Sequence, residues 1–337
     1  MRVLLLHRQD FGGITSLTET LAVALRKLGD EVDIVNALSW IPNETSIAVA
    51  KKVTPKLKDL GKDYEIVHAF GYRAAWACSD AFSYKEAWIY TAYGMPKTTQ
   101  RLLIDKLNEG QLGYCSSYAV RDELSGGGAM DLMVRYPGIN PAVETSMEKL
   151  DSREQFELSN NAPIIGAVGR FVKERAFEVA IEAMEEVWRS IPDVQFVLAG
   201  EGPEEESLKA QIAASSKPTQ IKTFGRLKNP AEFYRACDLI LVPSRNAGFS
   251  LVAAESMRTG TAVMLRSQGG LPEMGERDHT IFLFEDDQDL ARKIIEVLQM
   301  PMMLSSVANA GRFRSESLFS IDSYAQAIFR SYRTVLE

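Results

Sequence analysis

PSRNAGFSLVAAESMRTGTAVMLRSQGGLPE, residues 243–273, is the stretch whose reading decides the fold. The run before it, DLILV at 238–242, is short and apolar, as befits a parallel strand buried on both faces. At its carboxyl end stand Ser244, Arg245 and Asn246, then Gly248 and a helix with Glu255 in its second turn. One strand later, Gly269-Gly270 precedes Leu271-Pro272-Glu273. Open α/β sheets bind ligands outside the carboxyl ends of their strands, where a helix N-terminus offers unpaired N–H groups and a positive dipole to an anion. Two glycine-bearing strand-to-helix turns in succession imply a nucleotide phosphate site.

Toward the N-terminus the same rhythm continues. PIIGAVG at 163–169 reads as a strand, followed by Arg170-Phe171-Val172-Lys173-Glu174-Arg175 and a helix over 177–189. A strand at 194–199 ends in Gly200-Glu201-Gly202-Pro203, and one at 220–224 in Gly225-Arg226-Leu227. A helix carrying Phe233-Tyr234 leads into 238–242, and further strands follow at 262–265 and 280–284. Strict β/α alternation with short connections predicts a parallel sheet covered on both faces. An amphipathic helix over 321–336 places Tyr324, Ala327, Ile328 and Tyr332 on one stripe.

The first half opens with a strand at 2–7, the segment Gln9-Asp10-Phe11-Gly12-Gly13, and a helix over 15–28 with Leu17, Leu21, Ala24, Leu25 and Leu28 on one face. Asp10 closes the apolar run too early for a signal sequence, and Gly29 is a helix stop before a strand at 31–36. The spacing is not G-x-G-x-x-G, so no dinucleotide fingerprint is present. Gly12-Gly13 is open to two readings, a tight turn or a loop that lets a ligand approach the backbone. Lys51, Lys52, Lys56 and Lys58 lie in a stretch with Ile47, Ala50, Val53, Leu57 and Leu60 that can meet an anionic membrane surface; a solvated helix face, interrupted at Pro55, is the competing reading. Strands at 64–69, 87–91, 113–116 and 131–135 and a helix at 119–124 complete this half before the rigid loop 136–141. The polar, acidic stretch 142–162 has no periodicity and reads as linker, which gives domains at 1–145 and 163–315, a linker at 146–162 and a closing helix segment at 316–337.

The chain's 337 residues suffice for two such domains. Its net charge of −7 argues against general nucleic-acid binding. That charge is uneven: residues 1–150 hold 17 Lys and Arg against 18 Asp and Glu, and the remainder 21 against 27. A phosphate site in the second half therefore needs local cations. Cys78, Cys115 and Cys237 are scattered, which fits a reducing cytosol, and three distant histidines make a metal site improbable.

With these pieces in order, the chain resembles the GT-B glycosyltransferases, and among them the retaining family 4 that uses nucleotide-sugar donors. GGITSLTETLAVALRKLGDEVDIV is similar to that family's first loop and helix; EIVHAFGYRAA and YTAYGMP resemble its mid-domain strands, and YPGIN its linker entry. VGRFVKERAFEVAIEA resembles its basic donor loop, and LAGEGPEEESLKA, FGRL, YRACDLILVPS and GFSLVAAESMRTGTAV with GGLPEM its second domain. FSIDSYAQAIFRSYRTVL resembles its closing helix. The resemblance implies two Rossmann-like parallel-sheet domains facing a cleft, the last helix crossing back to the first.

It further implies transfer of a hexose from a UDP-, GDP- or ADP-sugar to a sugar, lipid-linked sugar or small-molecule acceptor, with retention and without a metal or a permanently bound cofactor. Arg170 and Arg175 would stabilise the leaving diphosphate, a task for fixed cations and backbone donors. Glu255 would accept hydrogen bonds from the ribose, Arg226 and the residues after it would flank the base, and Ser244 and Arg245 the cleft wall. Gly169 and the turn Gly248-Phe249-Ser250-Leu251 belong to the same donor site, with Gly12-Gly13 presenting N–H groups to the diphosphate across the cleft. Three positions depart from the family pattern: Arg175-Ala176 where it has Lys-Gly, Ala247 where it has the first Glu of E-x7-E, and Tyr93 where many members have a His beside the reacting sugar. A methyl cannot hydrogen-bond a sugar hydroxyl, and a phenol of pKa about 10 is a poor stand-in for imidazole. His68 could face the cleft or be a core histidine. Two alternatives follow: a catalytically impaired relative acting as a nucleotide-binding or partner subunit, and a sugar-nucleotide epimerase-like enzyme. The expected location is the cytoplasm, with a peripheral place at the inner membrane face if the lysines bind lipid.

Overall fold

The computed structural model describes residues 1–337 apart from 10–11, 43–46, 84–85, 95–103, 106, 109, 111 and 144, and the side chains of 47, 48 and 50. Asp10, Phe11, Met95, Pro96 and the side chains of Ile47 and Ala50, to which the sequence pattern gave roles, lie outside the described residues. The chain divides into two compact units, 1–140 with 319–337, and 141–318.

The first unit is a six-stranded parallel sheet in the order β2-β1-β3-β4-β5-β6, with β1 Arg2–His7, β2 Glu31–Asn36, β3 Ile66–Phe70, β4 Trp88–Ala92, β5 Leu112–Cys115 and β6 Leu132–Val134. β3 and β4 are buried at every position, as strands covered on both faces must be. Helix α1, Gly13–Lys27, ends at Gly29 (φ 96°), where Asp30 N–H reaches the Leu25 carbonyl and Gly29 N–H that of Arg26. That double bond satisfies carbonyls the helix leaves open, and the left-handed residue it requires is the glycine the sequence supplies.

Helix α2, Ile47–Gly61, runs through Pro55 instead of stopping there. Val53 and Leu57 are in the core and Lys51, Lys52, Lys56 and Lys58 are exposed, so its apolar stripe is already used inside the protein. Lys56 lies 4.6 Å from the Trp40 ring centre, a cation–π contact. α3, Tyr72–Ala81, and α4, Tyr118–Gly126, follow β3 and β5.

The second unit repeats the plan: β7 Ile164–Val168, β8 Gln195–Ala199, β9 Ile221–Phe224, β10 Leu239–Val242, β11 Ala262–Arg266 and β12 Phe282–Phe284, in the order β12-β11-β10-β7-β8-β9, all parallel. The polar stretch 146–162 is not a bare linker. It holds helix α5, Lys149–Gln155, whose Arg153 and Lys149 both reach Asp238, at 2.7 and 2.5 Å, while Asp238 also accepts the Ile164 N–H. Periodicity could not reveal this helix because charge, not an apolar stripe, docks it. Helices α6 Phe177–Ser190, α7 Glu205–Ala214, α8 Ala231–Ala236, α9 Leu251–Arg258, α10 Asp289–Leu298 and α11 Pro301–Leu318 cover the sheet.

The last helix, α12 Ile321–Leu336, belongs to the first unit. Where the chain leaves and re-enters that unit the two passes pair: Ile139 N–H donates to the Phe319 carbonyl at 2.9 Å, and a Cβ at Gly138 would stand 2.5 Å from Ile321 Cα. The glycine of YPGIN is there because nothing larger fits.

Candidate functional site

In the second sheet the chain builds outward from β7 to β8 and β9, then jumps to β10 on the other side of β7. The carboxyl ends of β7 and β10 therefore flank the point where strand order reverses, the place where open α/β sheets bind ligands. Both loops there are tied together. Arg245 N–H donates to the Glu174 carbonyl at 3.0 Å, and Arg175 Nη1 donates to Ser244 Oγ at 3.3 Å. Gly169, Arg170 and Arg175 from one loop thus adjoin Ser244 from the other.

Arg175 is half-buried and forms no ion pair among the described residues, while Arg170 beside it is exposed. Burial, then the like charge of Arg170, lowers the Arg175 pKa from its ordinary value, with Glu174 opposing. Two cations so placed suit a polyanion. Arg245 is engaged elsewhere: it pairs with Glu178 at 2.7 Å and Asp287 at 3.6 Å, so it braces the loop against α6.

The β7 loop keeps a glycine geometry without the glycine. Ala176, fully buried, has φ 54° and ψ 38°, the left-handed region in which side chains are disfavoured. The neighbouring β8 loop leaves no room for side chains. A Cβ on Gly200 would meet the Gly169 carbonyl at 1.9 Å, and one on Gly202 the Phe171 carbonyl at 2.5 Å. A hollow lined by Phe171, Gly200, Glu201, Phe224 and Gly225 lies at the ends of β8 and β9, next to exposed Arg226.

After β10, Gly248 and Phe249 lead to Ser250, whose Oγ accepts the Ala253 N–H at 3.1 Å and caps α9. The helix itself gives the N–H groups of Leu251 and Val252 no acceptor. Glu255, one turn on, is only 8% exposed, and Tyr234 Oη donates to its Oε2 at 3.0 Å. Burial raises the carboxyl to about 7, and the Tyr234 bond only partly offsets this. Tyr234 was not legible as a site residue, because it lies 21 residues before the Glu255 it bonds. Ala247, 8% exposed, presents its carbonyl to Gly270 N–H at 2.9 Å, and Gly269 (φ 61°) packs its Cα side against that carbonyl.

Gly12, Gly13 and Tyr93 belong to the first unit. Gly12 (φ 113°) precedes α1 and Gly13 begins it, with Gln9 Oε1 accepting the Ile14 N–H at 3.1 Å. Tyr93 follows β4; its buried hydroxyl has no partner among the described residues, and burial pushes its phenol well above the ordinary value, Tyr324 adding to this. It is a neutral hydroxyl, not a base. His68 is a core histidine: fully buried, it meets Tyr332 Oη and Thr91 Oγ1 at 2.7 Å each and stacks on Phe70. Burial lowers its pKa to about 3. Among the described residues no three His, Cys, Asp or Glu side chains gather as metal ligands, and no helix is long and apolar enough to cross a membrane.

Two parallel-sheet units of this kind make the GT-B fold of glycosyltransferases, and solved structures agree. Sucrose-phosphate synthase from Thermosynechococcus elongatus superposes with a TM-score of 0.87 at 20% identity, covering 99% of this chain and 98% of that one. Anabaena HepE, solved with UDP-glucose, gives 0.85 at 20% identity over 99% and 100%. Residues 148–314, just under half of the chain, match the family described as Glycosyl transferases group 1, and that region belongs to it. A Corynebacterium glutamicum GDP-mannose-dependent mannosyltransferase acting on a phosphatidylinositol monomannoside is 24% identical over 319 residues, 90% of this chain and 77% of its own. The D-inositol 3-phosphate glycosyltransferase of Segniliparus rotundus is 28% identical over 209 residues, 59% of this chain and 46% of its own. The chain spans about half the length of that relative and of a Rhizobium meliloti mannosyltransferase, 46% and 56%.

Proposed function

We propose that the chain transfers a hexose from a nucleoside diphosphate sugar to an acceptor, with retention of configuration and without a metal. The observation that carries this reading is the pair of loops at the switch point of the second sheet, where Arg175 and Arg170 stand beside Ser244 and the open start of α9. As the glycosidic bond breaks, charge builds on the departing diphosphate. Fixed guanidinium groups and backbone N–H groups stabilise that charge without reorganising. In this reading Arg170 and Arg175 supply the cations, Gly248 to Leu251 the N–H donors, and Gly169 with Arg226 the walls of the base site. Glu255 holds the ribose hydroxyls. With a carboxyl pKa near 7 it accepts them best once ionised, so donor affinity rises as pH passes upward through about 7.

A relative named for GDP-mannose and a structural neighbour solved with UDP-glucose support a nucleotide-sugar donor. The acceptor is a sugar, a lipid-linked sugar or a small molecule. Exposed Lys51, Lys52, Lys56 and Lys58 would add electrostatic contact with an anionic membrane, placing the protein peripherally at the cytoplasmic face.

Calorimetric titration with UDP, GDP and ADP, followed by donor turnover, tests the reading. Binding of one nucleotide with hydrolysis or transfer of its sugar is expected, and binding of none sinks the proposal. Binding without turnover favours a nucleotide-binding subunit, the reading that rests on the Ala247 methyl.

A further inference from the structure

The first sheet has its own switch point. In the order β2-β1-β3-β4-β5-β6 the chain reverses between β1 and β3, and the two arginines Arg8 and Arg73 follow the ends of those strands. The register His7 opposite Phe70 sets Arg8 beside Gly71. Gly71 (φ 83°) is the N-cap of the ten-residue α3, and a Cβ there would touch Ile14 Cδ1 at 3.4 Å, so the first turns of α1 and α3 adjoin. No side chain caps α3, and its first intrahelical bond runs from Ala75 N–H to the Gly71 carbonyl. The N–H groups of Tyr72, Arg73 and Ala74 therefore open onto the same corner.

Both arginines are half-buried, and neither pairs with a carboxylate among the described residues. Arg8 Nε donates to the Ile41 carbonyl, which holds its stem. Arg73 lies 4.9 Å from the Tyr72 ring centre, and its buried Nε has no hydrogen-bond partner among the described residues. Burial, then the like charge of Arg73, lowers the Arg8 pKa, so the two guanidinium groups feel one another. Like charges held close together disfavour their own ionisation, and a bound anion relieves this.

We propose that Arg8 and Arg73, with the open first turn of α3, form a second anion site that binds a phosphate group carried by the acceptor. The assignment to the acceptor rests on the transfer reading, in which the donor's diphosphate already has Arg170 and Arg175. Two guanidinium forks match the planar oxygen pairs of a phosphate better than point charges would.

The test is titration of the full chain with inorganic phosphate, and separately with UDP, for the unaltered protein and Arg73→Gln. Among the described residues Arg73 forms no ion pair and its Nε no hydrogen bond, so Arg73→Gln is expected to spare folding, which thermal unfolding verifies; Arg8→Gln and the restoring Arg73→Lys complete the set. Phosphate binding is expected to weaken by about tenfold or more in Arg73→Gln, with partial recovery in Arg73→Lys, while UDP affinity changes by less than about twofold. Two further arms separate the sources of the group: glucose 6-phosphate in solution, and vesicles containing phosphatidylinositol. Arg73-dependent binding of either supports the site and names its source. Absence of phosphate, sugar-phosphate and vesicle binding, or equal binding by Arg73→Gln, overturns it. Parallel loss of UDP also overturns it, giving the arginines to the donor's diphosphate. Phosphate binding without UDP binding would sink the transfer reading and leave the anion site standing.

Discussion

Glu255 and His68 are both buried, and burial pushes them toward neutrality from opposite sides. For Glu255 the folded pKa, about 7, lies above that of an unfolded carboxylate, about 4.3. Between those values the folded state binds more protons than the unfolded one, so stability falls as pH rises through the window. Glu255→Gln keeps an acceptor for Tyr234 and removes the charge. Its melting temperature is expected to match the unaltered protein near about pH 5 and to exceed it increasingly toward about pH 8. A difference independent of pH would mean that the carboxyl is not desolvated. For His68 the folded pKa, about 3, lies below the unfolded value of about 6.5, so its contribution is lost as pH falls through that range. Arg175 gives a functional prediction. Arg175→Ala should weaken UDP binding by about ten- to a hundredfold, the worth of a charge-assisted bond, and leave uridine binding within about twofold. Equal losses, measured by titration, would show that Arg175 does not touch the phosphates. At this scale the sequence names candidate residues and not their states: only packing reveals the depth of Glu255 and its Tyr234 partner.

Elements were legible wherever apolar period or glycine punctuation carried them. The residue pairs that hold the loops were not, because they join positions far apart in sequence, as Arg175 and Ser244 do. Pro55 misled for a related reason: a proline costs one helix bond, and packing of Val53 and Leu57 in the core outweighs it. The β7 and β8 loops give the sharpest test at this scale. Gly200 has φ 149°, and a methyl there would overlap the Gly169 carbonyl at 1.9 Å, so one of the two loops must move. Gly200→Ala is expected to cost about 2–4 kcal/mol in denaturant unfolding and to lower UDP affinity. Gly225→Ala is the internal control, since nothing lies within 4 Å of the added methyl, and its change should stay within about 0.5 kcal/mol. Equal effects of the two substitutions would mean that the contact between the loops does not hold.

At the scale of the whole molecule, β/α alternation announced two parallel sheets, and each reverses its strand order once, beside β1 in the first and beside β7 in the second. Unit boundaries were harder to read, because the helix Lys149–Gln155 is docked by ion pairs and carries no apolar period. The closing helix α12 is the piece whose membership has the largest consequence. It buries Ile321, Tyr324, Ala325, Ile328 and Tyr332, and Tyr332 bonds His68 in the middle of β3. Each large side chain so buried is worth about 1.5–3 kcal/mol, so removing the helix forfeits several kcal/mol. Domains of this size have a net stability of only about 5–15 kcal/mol. A fragment of residues 1–140 should therefore lack a cooperative unfolding transition and expose apolar surface to a dye such as ANS. Because Ile139 N–H already meets the Phe319 carbonyl at 2.9 Å, residues 319–337 can be joined directly after Asn140 through a short glycine linker. That single chain is expected to unfold cooperatively and to regain near-ultraviolet dichroism from its packed tyrosines. Cooperative unfolding of 1–140 alone, at the temperature of the joined chain, would show that α12 is a passenger on this unit and not part of its core.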